Sequence, residues 1–286
     1  MAGEVWRVGA VRIARILELE SAGLLGRLIP EATRERVREI GWLYPHFADA
    51  EGRMRASIHA LVVETPQRRI VVDTCLGNDK PRPVPAWNRL QTRFIEDMAT
   101  AGYGADSIDT VLCTHLHLDH VGWNTRLDEG KWVPTFPHAR YLIARQEYAH
   151  WVAAGTATEQ AQVMADSVLP IRDAGLMDLV DTDHVICPEV RLLPTPGHTP
   201  GHVSVWIESQ GSSALITGDI LHHPCQMAHP QWAAVADCDS VQAAAMRRSV
   251  LESHGDGPTL IIGTHFATPT AGYLKRDGAG WRLDIA

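Results

Sequence analysis

The stretch Val111-Leu112-Cys113-Thr114-His115-Leu116-His117-Leu118-Asp119-His120-Val121-Gly122 decides how this chain is read. Its first residues form a short apolar run of the kind that makes a buried strand, and the run leads directly into His115. In extended or tightly turning backbone side chains alternate, so His115 and His117 project to one side while Asp119 and His120 emerge on the following turn. One loop can therefore feed two adjacent sites with imidazole and carboxylate. Divalent zinc accepts these ligands at about 2.0–2.2 Å, and a catalytic site keeps a position open for water. A lone histidine at a strand end reads as a polar loop residue; three within six residues, followed by Gly122, do not.

Working outward, further apolar runs rich in β-branched residues and bounded by Gly, Pro or Asp predict strands over Ser57–Glu64, Arg69–Asp73, Thr110–Thr114, Arg140–Ile143, Arg191–Leu193, Val203–Ile207, Ala214–Thr217 and Thr259–Ile262. Helical spacing appears at Leu90, Phe94, Ile95 and Met98, at Tyr148, Trp151 and Val152, and over Asp239–His254 with Ser240 as a cap. Glu31–Ile40 reads as a charged helix with Pro30 at its start. Strands outnumber helices, and the helices fall between strand groups, which suggests two packed sheets with helices outside. The Gly77–Trp87 stretch carries Pro81, Pro83 and Pro85 and reads as a semi-rigid surface loop of the kind that borders sites.

Composition narrows the partners. The 286 residues carry a formal charge of −8, with no cluster of Lys and Arg among aromatics, which argues against a nucleic-acid backbone as partner. Hydrophobic residues make up 45%, enough for a sizeable core, yet no segment approaches the roughly 18 apolar residues of a membrane span. Charges interrupt the first residues where a secretory signal needs an apolar core. The five cysteines are odd in number, far apart and never in a CxxC pair, so the expected setting is a reducing cytoplasm. A small-molecule substrate is expected, and a homodimer is compatible with the sequence.

The run Thr114–Gly122 resembles the HxHxDH signature of the metallo-β-lactamase superfamily, and the remaining pieces follow in that family's order. Thr195-Pro196-Gly197-His198 supplies the next histidine, Thr217-Gly218-Asp219 an aspartate, Gly263-Thr264-His265 the last histidine, and Val71-Val72-Asp73-Thr74 a strand-ending aspartate. The resemblance covers roughly residues 57 to 270 and implies an α/β fold, an αβ/βα sandwich of two mixed sheets with outer helices. It implies one hydrolase domain over residues 1–286, with an N-terminal extension of about residues 1–56. It also implies two divalent metal ions, with zinc expected: His115, His117 and His198 on one, Asp119, His120 and His265 on the other, and Asp219 bridging. A water held between two such cations has its pKa lowered towards neutrality, and Asp119 is placed both to bind metal and to hydrogen-bond that water.

His202 opens a strand and reads as a structural histidine. His222, His223, Cys225 and His229 form a second polar stretch after Asp219. In the lactonases of this superfamily that open N-acyl homoserine lactones, the best-known members carry a tyrosine three residues after the bridging aspartate. Here that position is His222, which is expected to act as an imidazole donor to the same substrate oxygen. The branch resembled is that of lactonases, arylesterases and organophosphate hydrolases, through Val121–Thr125 and the His-rich stretch. Lactone or ester hydrolysis therefore ranks first, phosphotriester hydrolysis second and β-lactam hydrolysis third. A mononuclear iron sulfur dioxygenase of the same fold is the alternative from another class, and the full set of seven ligands argues against it. Acceptance of a particular substrate is expected to depend on the loops Ser21–Arg55, Gly77–Trp87 and His222–Asp237.

Overall fold

The run Thr110–Cys113 forms a four-residue strand whose residues are all buried, flanked on both sides by parallel neighbours. A strand covered on both faces requires the continuous apolar pattern seen here. The computed structural model describes residues 3–22, 25–155 and 159–285, so Gly23 and Leu24 of the first expected substrate loop lie outside the described residues. The chain divides into two compact units, residues 1–18 with 58–184 and residues 19–57 with 185–286.

The first sheet contains β1 (Val5–Val8), β2 (Val11–Ala22), β3 (Arg55–Glu64), β4 (Arg69–Val72) and β5 (Thr110–Cys113). A separate hairpin, β6 (Thr125–Asp128) and β7 (Lys131–Pro134), follows, and β8 (Arg140–Ala144) and β9 (Met177–Val180) complete the sheet in the order β1-β2-β3-β4-β5-β8-β9. The pairs β4/β5, β5/β8 and β8/β9 are parallel, and β3/β4 is antiparallel. The second sheet runs in sequence order through β10 (Val185–Cys187), β11 (Val190–Pro194), β12 (Val203–Ser209), β13 (Ser212–Ile216), β14 (Leu260–Ile262), β15 (Ala271–Asp277) and β16 (Gly280–Asp284). Its single parallel pair is β13/β14. Both sheets are mixed, as expected.

All eight expected strands are present within a few residues. The hairpin β1/β2 was not among them: its turn is Gly9-Ala10, with Gly9 at φ 57°, and Val8 pairs with Val11. Arg12 and Arg15 interrupt its apolar positions and hide the alternation, although Val11 and Ile13 are fully buried. Two helices have N-terminal caps other than the sequence suggested. Thr33, not Pro30, caps the helix Arg34–Glu39 through a bond from Arg36 N, and Asp239, not Ser240, caps Ser240–His254 by accepting from Gln242 N at 2.9 Å. Leu90 lies outside the Phe94–Thr100 helix.

The Pro-rich segment is less superficial than its composition implied. Lys80 is fully buried, donating to Thr125 Oγ1 at 2.8 Å and to the Asp166 carbonyl at 3.1 Å, and Arg82 grips the Asp166 carboxylate at 2.7 and 3.0 Å. Burial pushes the Lys80 ammonium down to about 7, and Trp132 lies against it at 3.8 Å. The proline loop is thus pinned by buried charge.

The core of the second unit includes Phe47, Leu215, Trp232, Leu251, Ile261 and Phe266. His223 ties into it: Nε2–H donates to the Phe47 carbonyl at 2.8 Å and Nδ1 accepts from Cys225 N at 3.1 Å. Burial depresses this imidazole from 6.5 to about 4. Between those values the unfolded chain binds the extra proton, so stability is complete above about pH 6.5 and falls as the pH drops towards 4. The loss expected from this group is up to about 3 kcal/mol. Urea unfolding of the wild type and His223→Gln should show a shallower stability loss from pH 7 to pH 5 in the variant; parallel pH profiles would contradict this account.

Candidate metal centre

Every expected donor follows the C-terminal end of a strand. Parallel pairing of β4 and β5 sets Val72 beside Leu112, and Asp73 N bonds the Leu112 carbonyl at 2.9 Å, so Asp73 and Thr114-His115 leave the sheet at one edge. The second sheet repeats the device. Parallel β13 and β14 pair Ile216 with Ile262, and Asp219 and His265 each follow three residues later. Ligands in open α/β sheets gather at the carboxyl ends of strands for this topological reason.

In the first unit, Asp73 organises the loop. Its carboxylate accepts from Thr114 N at 2.8 Å, Thr114 Oγ1 at 2.9 Å and His120 Nδ1 at 2.9 Å, from a backbone held at φ 56°. A left-handed non-glycine residue persists where surrounding contacts outweigh its strain. Because the Thr114 hydroxyl hydrogen goes to Asp73, its oxygen accepts from His115 Nδ1 at 3.1 Å. His115 Nε2 then faces His117 Nδ1 at 3.0 Å, and His120 Nε2 lies 3.7 Å from Asp119 Oδ1. His115 and His120 are fully buried, whereas 18% of the Asp119 side chain is exposed. Buried Glu147 accepts from Leu116 N at 3.1 Å and from Trp151 Nε1 at 2.6 Å, which fixes the loop midpoint.

Behind the loop, Glu18 on β2 accepts from Leu76 N at 2.7 Å, Gly77 N at 3.2 Å and Trp123 Nε1 at 2.6 Å. Burial raises its carboxyl against the lowering effect of those bonds. Trp123 is therefore a packed side chain, stacked on Phe94 at 5.8 Å. Gly122 is obligatory here, since a Cβ would sit 1.9 Å from the Leu76 carbonyl.

In the second unit, one carboxylate collects three imidazoles. Asp219 Oδ2 lies 3.6 Å from His198 Nε2 and 3.2 Å from His222 Nε2, and Oδ1 lies 3.2 Å from His265 Nε2. Donor atoms of His198, Asp219 and His222 all fall within 4.8 Å of one another. His198 Nδ1 donates to Asp237 Oδ1 at 2.9 Å, and His265 Nδ1 to the Ser57 carbonyl at 3.1 Å. Buried His222 differs: among the described residues neither ring nitrogen makes a hydrogen bond, despite the short approach to Asp219. His202 serves the backbone, its Nε2 accepting from Asp219 N at 2.9 Å while Nδ1 faces the Thr195 carbonyl at 3.0 Å. Gly218, at φ 56°, makes room for it, as a Cβ would come within 2.5 Å of His202 Nε2.

The first unit thus gathers His115, His117, Asp119 and His120, and the second gathers His198, Asp219, His222 and His265. Both donor groups are nitrogen and oxygen, bonds at Nδ1 direct the Nε2 lone pairs of His115, His120, His198 and His265, and the groups fit a divalent cation. Cys113 and Cys225 are free and buried, and burial raises both thiols, that of Cys113 to about 12. Met227 and Trp232 are core residues. Glu18, Glu147 and Asp237 went unrecognised in the sequence, where each is one acid in an unremarkable segment.

Residues 54–273 match the metallo-β-lactamase superfamily model, and the chain belongs to that superfamily. It is 30% identical over 130 residues to an N-acyl homoserine lactonase of Bacillus thuringiensis, a match covering 45% of each chain, so it spans less than half the length of that curated relative. Among solved structures, AidC, a dizinc quorum-quenching lactonase in complex with a product, superposes with a TM-score of 0.79 at 19% identity, over 100% of this chain and 97% of that one. The hydrolase AbOPH gives a TM-score of 0.82 at 23% identity, over 100% and 99%. At these identities the superpositions establish the fold.

Replacing Gly122 with Ala should destabilise the protein by about 1–3 kcal/mol, because the added methyl must displace backbone at Leu76. An unchanged urea midpoint would contradict the close approach.

Proposed function

We propose that this protein is a hydrolase that uses two divalent metal ions, zinc in the resting enzyme, to cleave a lactone or ester. His115, His117 and His198 would hold one ion, Asp119, His120 and His265 the other, with Asp219 shared. The supporting observation is the division of the Asp219 carboxylate, one oxygen towards His198 and His222 and the other towards His265. A carboxylate serving two cations needs its oxygens divided in this way. The lactonase relative and the dizinc fold neighbour support the same choice of substrate and metal.

Two bound divalent ions supply a water that ionises near neutral pH and a Lewis acid for the scissile carbonyl. Asp219, shared between them, would keep the two positive charges close. Asp119, partly exposed, is the carboxylate able to orient the attacking water and hold its proton. The His222 imidazole has donor capacity unspent on the protein and can supply a hydrogen bond to the substrate carbonyl or leaving oxygen. A lactone keeps its leaving alkoxide tethered near these groups. No serine or cysteine nucleophile is needed.

Metal analysis of purified protein should give close to two divalent ions per chain, and chelation should abolish a lactonase or arylesterase activity that added zinc, cobalt or manganese restores. Asp219→Ala should lose metal and several orders of magnitude in rate; His202→Ala should chiefly lower stability. His222→Ala should reduce kcat with metal content retained. Full activity with one iron per chain and oxygen uptake would contradict the hydrolytic reading. Metal-replete enzyme that ignores lactones and esters but cleaves a phosphotriester or penicillin would overturn the substrate.

A further inference from the structure

Asp237 is a fully buried carboxylate with no part in the family motif, and three separate contacts hold it. Its Oδ1 accepts from His198 Nδ1 at 2.9 Å, and its Oδ2 accepts from Ala234 N at 3.0 Å and lies 3.8 Å from Arg247 Nη2. The adjoining backbone is strapped to the same histidine loop, Cys238 N to the His198 carbonyl and Asp239 N to the Gly197 carbonyl, both at 2.9 Å.

Arg247, on the Ser240–His254 helix, is itself fully buried. It donates through Nε to the Ile220 carbonyl at 2.7 Å and through Nη1 to the carbonyls of Pro230 and Trp232 at 2.7 and 3.0 Å. One guanidinium therefore fixes the turn just after Asp219 and also faces the carboxylate that holds His198. Burying such a charge is costly unless partners surround it, and those partners are what define this loop.

We infer that Asp237 is a positioning residue for metal binding: it holds the proton of His198 on Nδ1 and thereby directs the Nε2 lone pair to the cation beside Asp219 Oδ2. The inference rests on the metal centre proposed above. Without the carboxylate, the ring can rotate or take the other tautomer, which turns an N–H towards the cation. Outer carboxylates of this kind typically change metal affinity 10–100-fold. An ordinary buried acid, present to satisfy Ala234 N and Arg247, would lower stability when removed without distinguishing one metal ion from the other.

The test is zinc competition against a chromophoric chelator, on wild type, Asp237→Ala and Asp237→Asn, with Tm measured in parallel. Asp237→Ala should weaken one of the two ions by about 10–100-fold and leave the other within about threefold. Asparagine has one acceptor oxygen for two N–H donors, so Asp237→Asn should weaken the same ion by at least about fivefold, even if the alanine variant does not fold. In metal-free wild type, ¹H–¹⁵N spectra should show His198 as the Nδ1–H tautomer, and this signature should be lost or mixed in the variants. Folded variants with wild-type affinity at both ions, or equal losses at both, would overturn the inference. Wild-type protein that takes up no zinc while His198 keeps its Nδ1–H tautomer would instead overturn the metal centre.

Discussion

A buried imidazole has two ring nitrogens, each of which must be hydrogen-bonded, ligated or paid for in lost solvation. In this protein Nδ1 of four candidate ligands is committed to a nearby acceptor: His115 to the Thr114 hydroxyl, His120 to Asp73, His198 to Asp237 and His265 to the Ser57 carbonyl. These bonds set the tautomer and aim each Nε2 before any cation arrives. A set of ligands fixed in this way loses little freedom on binding, and preorganisation of this kind favours tight coordination. Removing a partner of Nδ1 is therefore expected to act on the cation through the ring, not through the fold alone.

Two parallel strand pairs make that arrangement possible. β4 with β5 brings Asp73 to the loop that carries His115 and His120, and β13 with β14 brings Asp219 and His265 to matching positions after their strands. The close turns that follow impose their own requirements. Asp73 accepts a left-handed backbone, Gly122 packs on the Leu76 carbonyl, and Gly218 leaves space for His202. Tight backbone approach and strain therefore cluster around the donors, where surrounding hydrogen bonds can sustain them.

Legibility in the sequence followed the range of the interactions. His115, His117, Asp119 and His120 lie within six residues, and the strand before them is a local apolar run, so both could be read directly. His198, Asp219 and His265 were picked out through the family resemblance, each standing after an apolar run in that family's order. His202 also read correctly as a servant of the backbone, since it opens a strand. By contrast, Glu18 acts on Trp123 from 105 positions away, and Asp237 acts on His198 from 39 positions away. No local pattern announces either. The buried Lys80 and Arg82 were hidden for a related reason: prolines and charge read as surface, and their partner Asp166 lies more than 80 positions further along. Interrupting arginines likewise concealed the β1/β2 hairpin.

The central claim is that these donors hold two divalent ions through nitrogen and oxygen alone. The most direct measurement is X-ray absorption at the zinc edge on protein loaded with zinc to saturation. The account predicts a first shell of nitrogen and oxygen near 2.0–2.1 Å, with no sulfur shell near 2.3 Å. It further predicts a zinc–zinc vector at about 3.5–4 Å. A sulfur shell, or a spectrum of isolated zinc with no metal–metal vector at full loading, would contradict it.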